Sequence, residues 1–266
     1  MNWLGRLFAG PKQRDLSRDV VWLDLAGYEW VYAVGDVHGE YDLMLEMEKL
    51  IVLDWERLGR PRACTLYVGD LIDRGPKSAH VLDYMTCRSG HVMDTYVLRG
   101  NHEQFMLDFL DDPKSHLDWL SFGGTETLAS YGIYHTRSDF SRKRSREIQS
   151  LLSSSIPDSH IKFLGSLPHA ADAGQFLFCH AGMDPTKPVA SQSAEDFMWA
   201  RDRFMAHEEA LERVVVHGHT PVIQAEVSGS RVSIDTLAYS TGILSGCRVN
   251  LLQADIKIVV AGPAKP

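Results

Sequence analysis

Along the first hundred residues, short apolar runs rich in β-branched and aromatic side chains alternate with segments of helical period. Trp30 to Gly35, Cys64 to Gly69 and Thr95 to Leu98 read as buried strands. Between them, Tyr41 to Val52 places Leu43, Met47, Leu50 and Ile51 on one helical face, and Ser78 to Met85 repeats that spacing. This β-α-β-α-β order predicts a sheet that is at least partly parallel. From Gln104 to Leu167 the pattern changes. Phe105, Met106, Phe109 and Leu110 predict a helix that Pro113 stops. A shorter helical pattern surrounds Gly123-Gly124 between Trp119 and Tyr131, and further helix is expected up to Phe163. Residues 104–167 read as a mostly helical insertion within a single domain spanning 1–266. The last third returns to strands, at Phe176–Cys179, Val214–Val216, Arg231–Ile234, Cys247–Leu252 and Ile256–Val260. Their short spacing predicts a second, more antiparallel sheet. At the start, Trp3, Leu4, Leu7 and Phe8 predict a small amphipathic helix that docks on the body.

Polar residues of one chemical kind sit where these runs end. The segments are Gly35-Asp36-Val37-His38-Gly39, Gly69-Asp70-Leu71-Ile72-Asp73-Arg74-Gly75 and Gly100-Asn101-His102-Glu103. Two later ones are Phe178-Cys179-His180-Ala181-Gly182 and His217-Gly218-His219-Thr220-Pro221. Oxygen and imidazole donors without thiolate suit two hard or borderline divalent metals. In open α/β sheets such residues gather outside the carboxyl ends of the strands. Phosphoester hydrolysis uses these residue types. A metal pair about 3.5–4 Å apart acidifies water and neutralises phosphoryl oxygens. Arginine adds a planar fork, and a histidine held by a carboxylate protonates the leaving alkoxide.

Charge and cysteine content narrow the alternatives. The formal net charge of −8 argues against a nucleic-acid polymer as partner, which needs a basic footprint. Four cysteines with no CxxC spacing are read as free thiols rather than a disulfide framework. No stretch approaches the ~20 apolar residues of a membrane span, so the cytoplasm is the expected location.

Together these segments resemble the PPP family of metallophosphoesterases, most closely the bacterial and phage-lambda-type serine/threonine protein phosphatases. The symmetrical diadenosine tetraphosphate hydrolases share most of the motifs. The resemblance runs from about Val31 to Leu252. It implies a calcineurin-like αββα sandwich of two mixed sheets. It implies two divalent ions per chain, with Mn²⁺ the first choice and Fe, Zn, Ni, Co or Mg as alternatives. Asp36 and His38 then resemble ligands of one ion, Asp70 the bridging carboxylate, and Asn101, His180 and His219 ligands of the other. His102 resembles the general acid, Asp73 its partner, and Arg74 a phosphate clamp. The segment Trp199-Ala200-Arg201-Asp202-Arg203 resembles one that supplies a second clamp, with Arg201 preferred over Arg203. Asn101 and Arg203 also count among the expected substrate contacts. Glu after His102, Arg74-Gly75, Gly123-Gly124 and the Trp199–Arg201 region lean toward protein phosphatase. Ser233-Ile234-Asp235-Thr236 occurs in both branches, and Leu237-Ala238 after it departs from the common pattern. The expected substrate is a phosphorylated protein or peptide, with a nucleotide or small phosphoester as the alternative.

Several residues carry plainer readings. His217 reads as a core histidine beside the loop and Arg99 as a structural ion-pair partner. Glu103 reads as a stabiliser of the first turn of its helix. The basic run Arg137, Arg142, Lys143, Arg144 and Arg146 reads as a solvated face, with guidance of phosphosubstrates as the functional alternative.

Overall fold

A computed structural model describes residues 20–87, 92–207 and 211–263. The amphipathic pattern at Trp3 to Phe8 lies outside these residues. Two sheets face each other. The first is five-stranded, in the order β11-β10-β2-β3-β4, with β2 at Trp30–Val34, β3 at Ala63–Tyr67, β4 at Asp94–Val97, β10 at Leu244–Asn250 and β11 at Asp255–Ala261. The second is six-stranded, β1-β5-β6-β7-β9-β8, with β1 at Trp22–Asp24, β5 at Ala170–Ala173, β6 at Phe176–Cys179, β7 at Val214–His217, β8 at Glu226–Ser228 and β9 at Arg231–Ser233.

Strand alternation builds the layers. Val31 and Ala33 of β2 point between the sheets, where they meet Phe176, Phe178, Val216 and Val232. Tyr32 and Val34 point the other way, onto helices. Those helices are α1 at Tyr41–Arg57, α2 at Ser78–Thr86, α3 at Asn101–Asp111, α4 at Gly124–Ser130, α5 at Arg137–Arg142, α6 at Ser145–Ser155 and α7 at Asp158–Ser166, with a 3-10 turn at Leu117–Phe122. The outer face of the second sheet, through Leu177 and Cys179, packs on Phe197 of α8 (Ala194–Trp199) and Phe204 of α9 (Asp202–Met205). A short helix α10 spans Ala238–Thr241.

The β-α-β-α-β reading holds, since β2, β3 and β4 pair in parallel. The expected antiparallel second sheet does not form as drawn. β10 and β11 return to the first sheet, with β10 antiparallel to β2. The second sheet has three parallel pairings and two antiparallel ones. Local pattern cannot choose between two sheets that both accept apolar strands. Strands β1, β5 and β8 were too short to announce themselves. Residues 104–167 are helical throughout their ordered elements, as the pattern predicts.

Candidate active site

Each motif follows the carboxyl end of a strand. Asp36 follows β2, Asp70 follows β3, Asn101 opens α3 after β4, His180 follows β6 and His219 follows β7. All of them are buried. Tight backbone turns bring them there. Eight non-glycine residues have positive φ among the described residues, and five are site candidates: His38, Asp70, Asp73, Arg74 and His219. Backbone in that region costs energy and persists only where the surroundings impose it.

Asp70 is the centre of the arrangement. Its Oδ2 lies 3.3 Å from His180 Nε2, 3.7 Å from His38 Nε2 and 3.8 Å from His102 Nε2. Donor atoms of Asp70, His180 and His219 all lie within 4.8 Å of one another, as do those of His38, Asp70 and His102. His180 Nε2 also approaches Asn101 Oδ1 at 2.9 Å and His219 Nδ1 at 3.2 Å. Six donors from five segments therefore converge, with Asp70 common to both groups. Asp36 sits beside this cluster and accepts the His219 amide at 3.1 Å.

The electrostatics favour cations here. Burial, the Asp235 charge and then the Asp70 charge push the Asp36 carboxyl well above the usual range. Burial lowers the His180 pKa, but Asp70, Asp36 and Glu103 outweigh it and raise it to about 9. Several carboxylates thus share a buried space with the histidines and draw in positive charge. Buried oxygen and imidazole donors so placed fit divalent metal ions. The other ring nitrogens agree: His38 Nδ1 faces the Ile72 carbonyl at 2.8 Å and His180 Nδ1 the Val68 carbonyl at 3.1 Å, which orients each Nε2 inward.

His102 is arranged differently. Its Nδ1 donates to Asp73 Oδ2 at 2.6 Å, and Arg74 Nη2 lies 3.2 Å from its Nε2. Burial lowers the His102 pKa, while Asp70 and Asp73 raise it, and the net shift is upward. Asp73 itself is fully buried and also accepts from Trp119 Nε1 at 2.7 Å and Thr127 Oγ1 at 2.6 Å. Arg74 lies over the Tyr239 ring at 4.9 Å.

The two arginine candidates separate. Arg201 Nε donates to His219 Nε2 at 2.9 Å, which leaves Nδ1 facing the cluster. Arg203 Nη1 instead donates to Asp184 Oδ2 at 3.3 Å and is largely exposed. Arg203 therefore stands apart from the residues that the site gathers.

Other expectations need correction. Glu103 does more than steady its own helix: its carboxylate is fully buried and accepts the amides of Gly100, Asp70 and Leu71, each at 2.8 Å. Burial, then the Asp70 charge, raises it to about 7. Arg99 is structural, as its plain reading predicts: its Nη2 binds the carbonyls of Leu164 and Gly165 at the end of α7 at 3.0 and 2.8 Å. His217 is buried against Ser233 Oγ at 3.2 Å, as its plain reading predicts. Within the basic run, Arg137 pairs with Asp118 while Arg142, Arg144 and Arg146 are exposed. Trp119, Thr127 and Tyr239 were not singled out from the sequence. Their site contacts join residues 46, 54 and 165 or more positions apart, beyond any periodic signal.

Two mixed sheets with carboxylate and imidazole donors at their strand ends are the arrangement of a metallophosphoesterase. The chain belongs to the calcineurin-like phosphoesterase family, whose model matches residues 30–262. It is similar to bis(5'-nucleosyl)-tetraphosphatase PrpE [asymmetrical] of Bacillus cereus, at 23% identity over 245 residues, covering 81% of this chain and 88% of that protein. The Bacillus mycoides protein of that name is 24% identical over 242 residues, with the same coverage. Among solved structures, a candidate diadenosine tetraphosphatase aligns over 92% of this chain and all of its own, with TM-score 0.59 and 19% identity. The cold-active protein-tyrosine phosphatase of a psychrophilic Shewanella species aligns over 92% of this chain and 84% of its own, with TM-score 0.53 and 15% identity. These structural likenesses speak for the fold. Among the described residues, no helix is long and apolar enough to cross a membrane.

Proposed function

We propose that this chain is a PPP-type phosphoester hydrolase acting in the cytoplasm on serine/threonine phosphoesters, with residues 104–167 part of the same catalytic unit. Two divalent ions, Mn²⁺ first, would be held by Asp36 and His38 on one side and Asn101, His180 and His219 on the other, with Asp70 between. When bound, such ions supply charge neutralisation and an acidified water nucleophile. His102 protonates the leaving oxygen from Nε2 while Asp73 holds Nδ1. Arg74 and Arg201 bind the remaining phosphoryl oxygens through their N–H forks.

The observation that carries the substrate class is the His102–Asp73 pair. An alkoxide leaves poorly and gains most from a proton donor, whereas a nucleoside phosphate leaves as a stabilised anion and gains less. A second reading, hydrolysis of dinucleoside polyphosphates, draws support from the names of the relatives and from the rim. Phe122 and Trp199 are partly exposed, Phe105 stacks on Phe122 at 5.4 Å, and Trp199 meets Phe105 at 5.0 Å. Such faces suit a nucleobase.

The deciding assay measures phosphate release from phosphoserine peptides beside cleavage of diadenosine tetraphosphate, both with Mn²⁺ added. A kcat/KM for phosphopeptides above that for the dinucleotide is expected. Cleavage of the dinucleotide alone would overturn the serine/threonine reading and leave the second. In parallel, Asp70→Asn loses bound metal and activity together, whereas His102→Asn keeps metal and loses about 10²–10⁴-fold in kcat.

A further inference from the structure

The Asp73 carboxylate is held by more than its histidine. Thr127 Oγ1 donates to Oδ1 at 2.6 Å, and Trp119 Nε1 donates at 2.7 Å to Oδ2, the oxygen that His102 Nδ1 also uses. The Asp73 amide in turn donates to Thr127 Oγ1 at 2.9 Å and to Ser78 Oγ at 3.1 Å. One threonine of α4 thus grips both the backbone and the side chain of Asp73. The grip is needed because Asp73 has φ 74° and Arg74 φ 68°, which only surrounding structure can maintain.

The fit between the helical segment and this turn is close. Gly123 has φ 114°, and a Cβ there would lie 2.5 Å from the Arg74 nitrogen and 2.9 Å from Asp73 Cβ. A Cβ on Gly124 would lie 2.5 Å from the Trp119 ring. Both glycines are therefore required for Trp119 and Thr127 to reach Asp73.

We propose that Trp119 and Thr127 are positioning residues for the reaction: they hold the Asp73 carboxylate in the orientation that aims His102, and so set how well His102 protonates the leaving group. This rests on the reading of His102 as proton donor. A buried carboxylate with only one donor would turn toward other partners, and it then no longer fixes the imidazole. Thr127 holds Oδ1 and Trp119 takes one acceptor direction of Oδ2, while the other direction of Oδ2 meets His102 Nδ1. The helical segment is then part of the catalytic acid, and its loss should be felt mainly by substrates that need the proton.

The test compares Thr127→Val, which keeps shape and removes the hydroxyl, with Thr127→Ser, which restores it. Trp119→Phe removes the N–H and keeps a ring, and provides a second route if the valine variant folds poorly. His102→Asn is the reference. Each is assayed on an alkyl phosphate monoester and on p-nitrophenyl phosphate, with kcat, KM and bound Mn²⁺ measured. Thr127→Val and Trp119→Phe should lose about 10–100-fold in kcat on the alkyl ester, a fraction of the ~10²–10⁴-fold worth of a general acid. Their loss on the aryl ester should stay within about 3-fold, with KM and metal content near the parent values. Thr127→Ser should recover most of the alkyl turnover. Equal losses on both esters, no loss, or no recovery with serine would overturn the proposal while His102→Asn still separates the two substrates. Were His102→Asn itself indifferent to the leaving group, or the parent enzyme confined to the aryl ester, the proton-donor reading would fall and the proposal with it.

Discussion

Replacing Glu103 by glutamine tests how the site is braced. The Glu103 carboxylate is fully buried, with Oε2 accepting the Asp70 and Gly100 amides and Oε1 the Leu71 amide. Glutamine has nearly the same shape but one acceptor oxygen. If that oxygen keeps the Asp70 and Gly100 amides, its NH₂ group meets the Leu71 N–H head on. One charge-assisted hydrogen bond worth ~1.5–3 kcal/mol is lost, and a buried donor is left unpaired at ~1–3 kcal/mol. Removing a buried charge offsets part of this, so a net loss of about 2–4 kcal/mol is expected. For a chain of this size ~1 kcal/mol corresponds to roughly 2–4 °C in Tm, giving a fall of about 4–16 °C. Calorimetric melting of parent and Glu103→Gln, with and without Mn²⁺, reads it directly. Because the anchored amides belong to Asp70 and Leu71, metal affinity measured by titration calorimetry should weaken too. A Tm within a degree of the parent together with unchanged metal affinity would refute the bracing argument.

Exhaustive chelation should abolish activity, with Mn²⁺ restoring it; turnover that survives metal-free dialysis, verified by elemental analysis, would contradict the donor-set argument. Arg74→Lys and Arg201→Lys should lower kcat more than they raise KM while metal content stays, since lysine keeps the charge but not the fork. Arg203→Lys should cost little, because Arg203 pairs with Asp184; a severe defect there with normal Arg201→Lys would move the second clamp by two residues. In Gly218→Ala the new Cβ would lie 1.9 Å from Asp36 Oδ1; the expected outcome is loss of metal binding with the circular dichroism of the fold retained, and intact metal stoichiometry would count against it. Burial lowers the His160 pKa against a smaller upward pull from Asp83, and the ring accepts from Tyr131 in its neutral form. The unfolded chain then binds more protons than the folded one below about pH 6.5. Stability from this group is present above that pH and declines as pH falls toward the lowered folded value. Melting temperatures of parent and His160→Gln across this window should converge at acid pH, and parallel curves would exclude His160 as the cause.

The chain announces its site before its fold. Asp36, His38, Asp70, Asn101, His180 and His219 could be read because each directly follows an apolar strand, and strand ends on parallel strands are brought together by the layering itself. The alternation of Val31 and Ala33 with Tyr32 and Val34 likewise writes the two faces of β2 into local sequence. Sheet membership was not local. β10 could have joined either sheet by its composition, and its antiparallel pairing with β2 is settled only by long-range packing of both faces. The supports of the site were hidden for the same reason. Trp119 and Thr127 meet Asp73, and Glu103 meets the Asp70 amide, across 46, 54 and 33 positions. Arg201 and Arg203 sit in one short stretch with the same charge, so sequence could only rank them. Tertiary placement of Asp184 and His219 gave each a different partner. Residue type and spacing thus determined which donors the chain brings to its strand ends. Three-dimensional closure decided what holds those donors and which arginine faces them, because hydrogen bonds between distant segments leave no period in the chain.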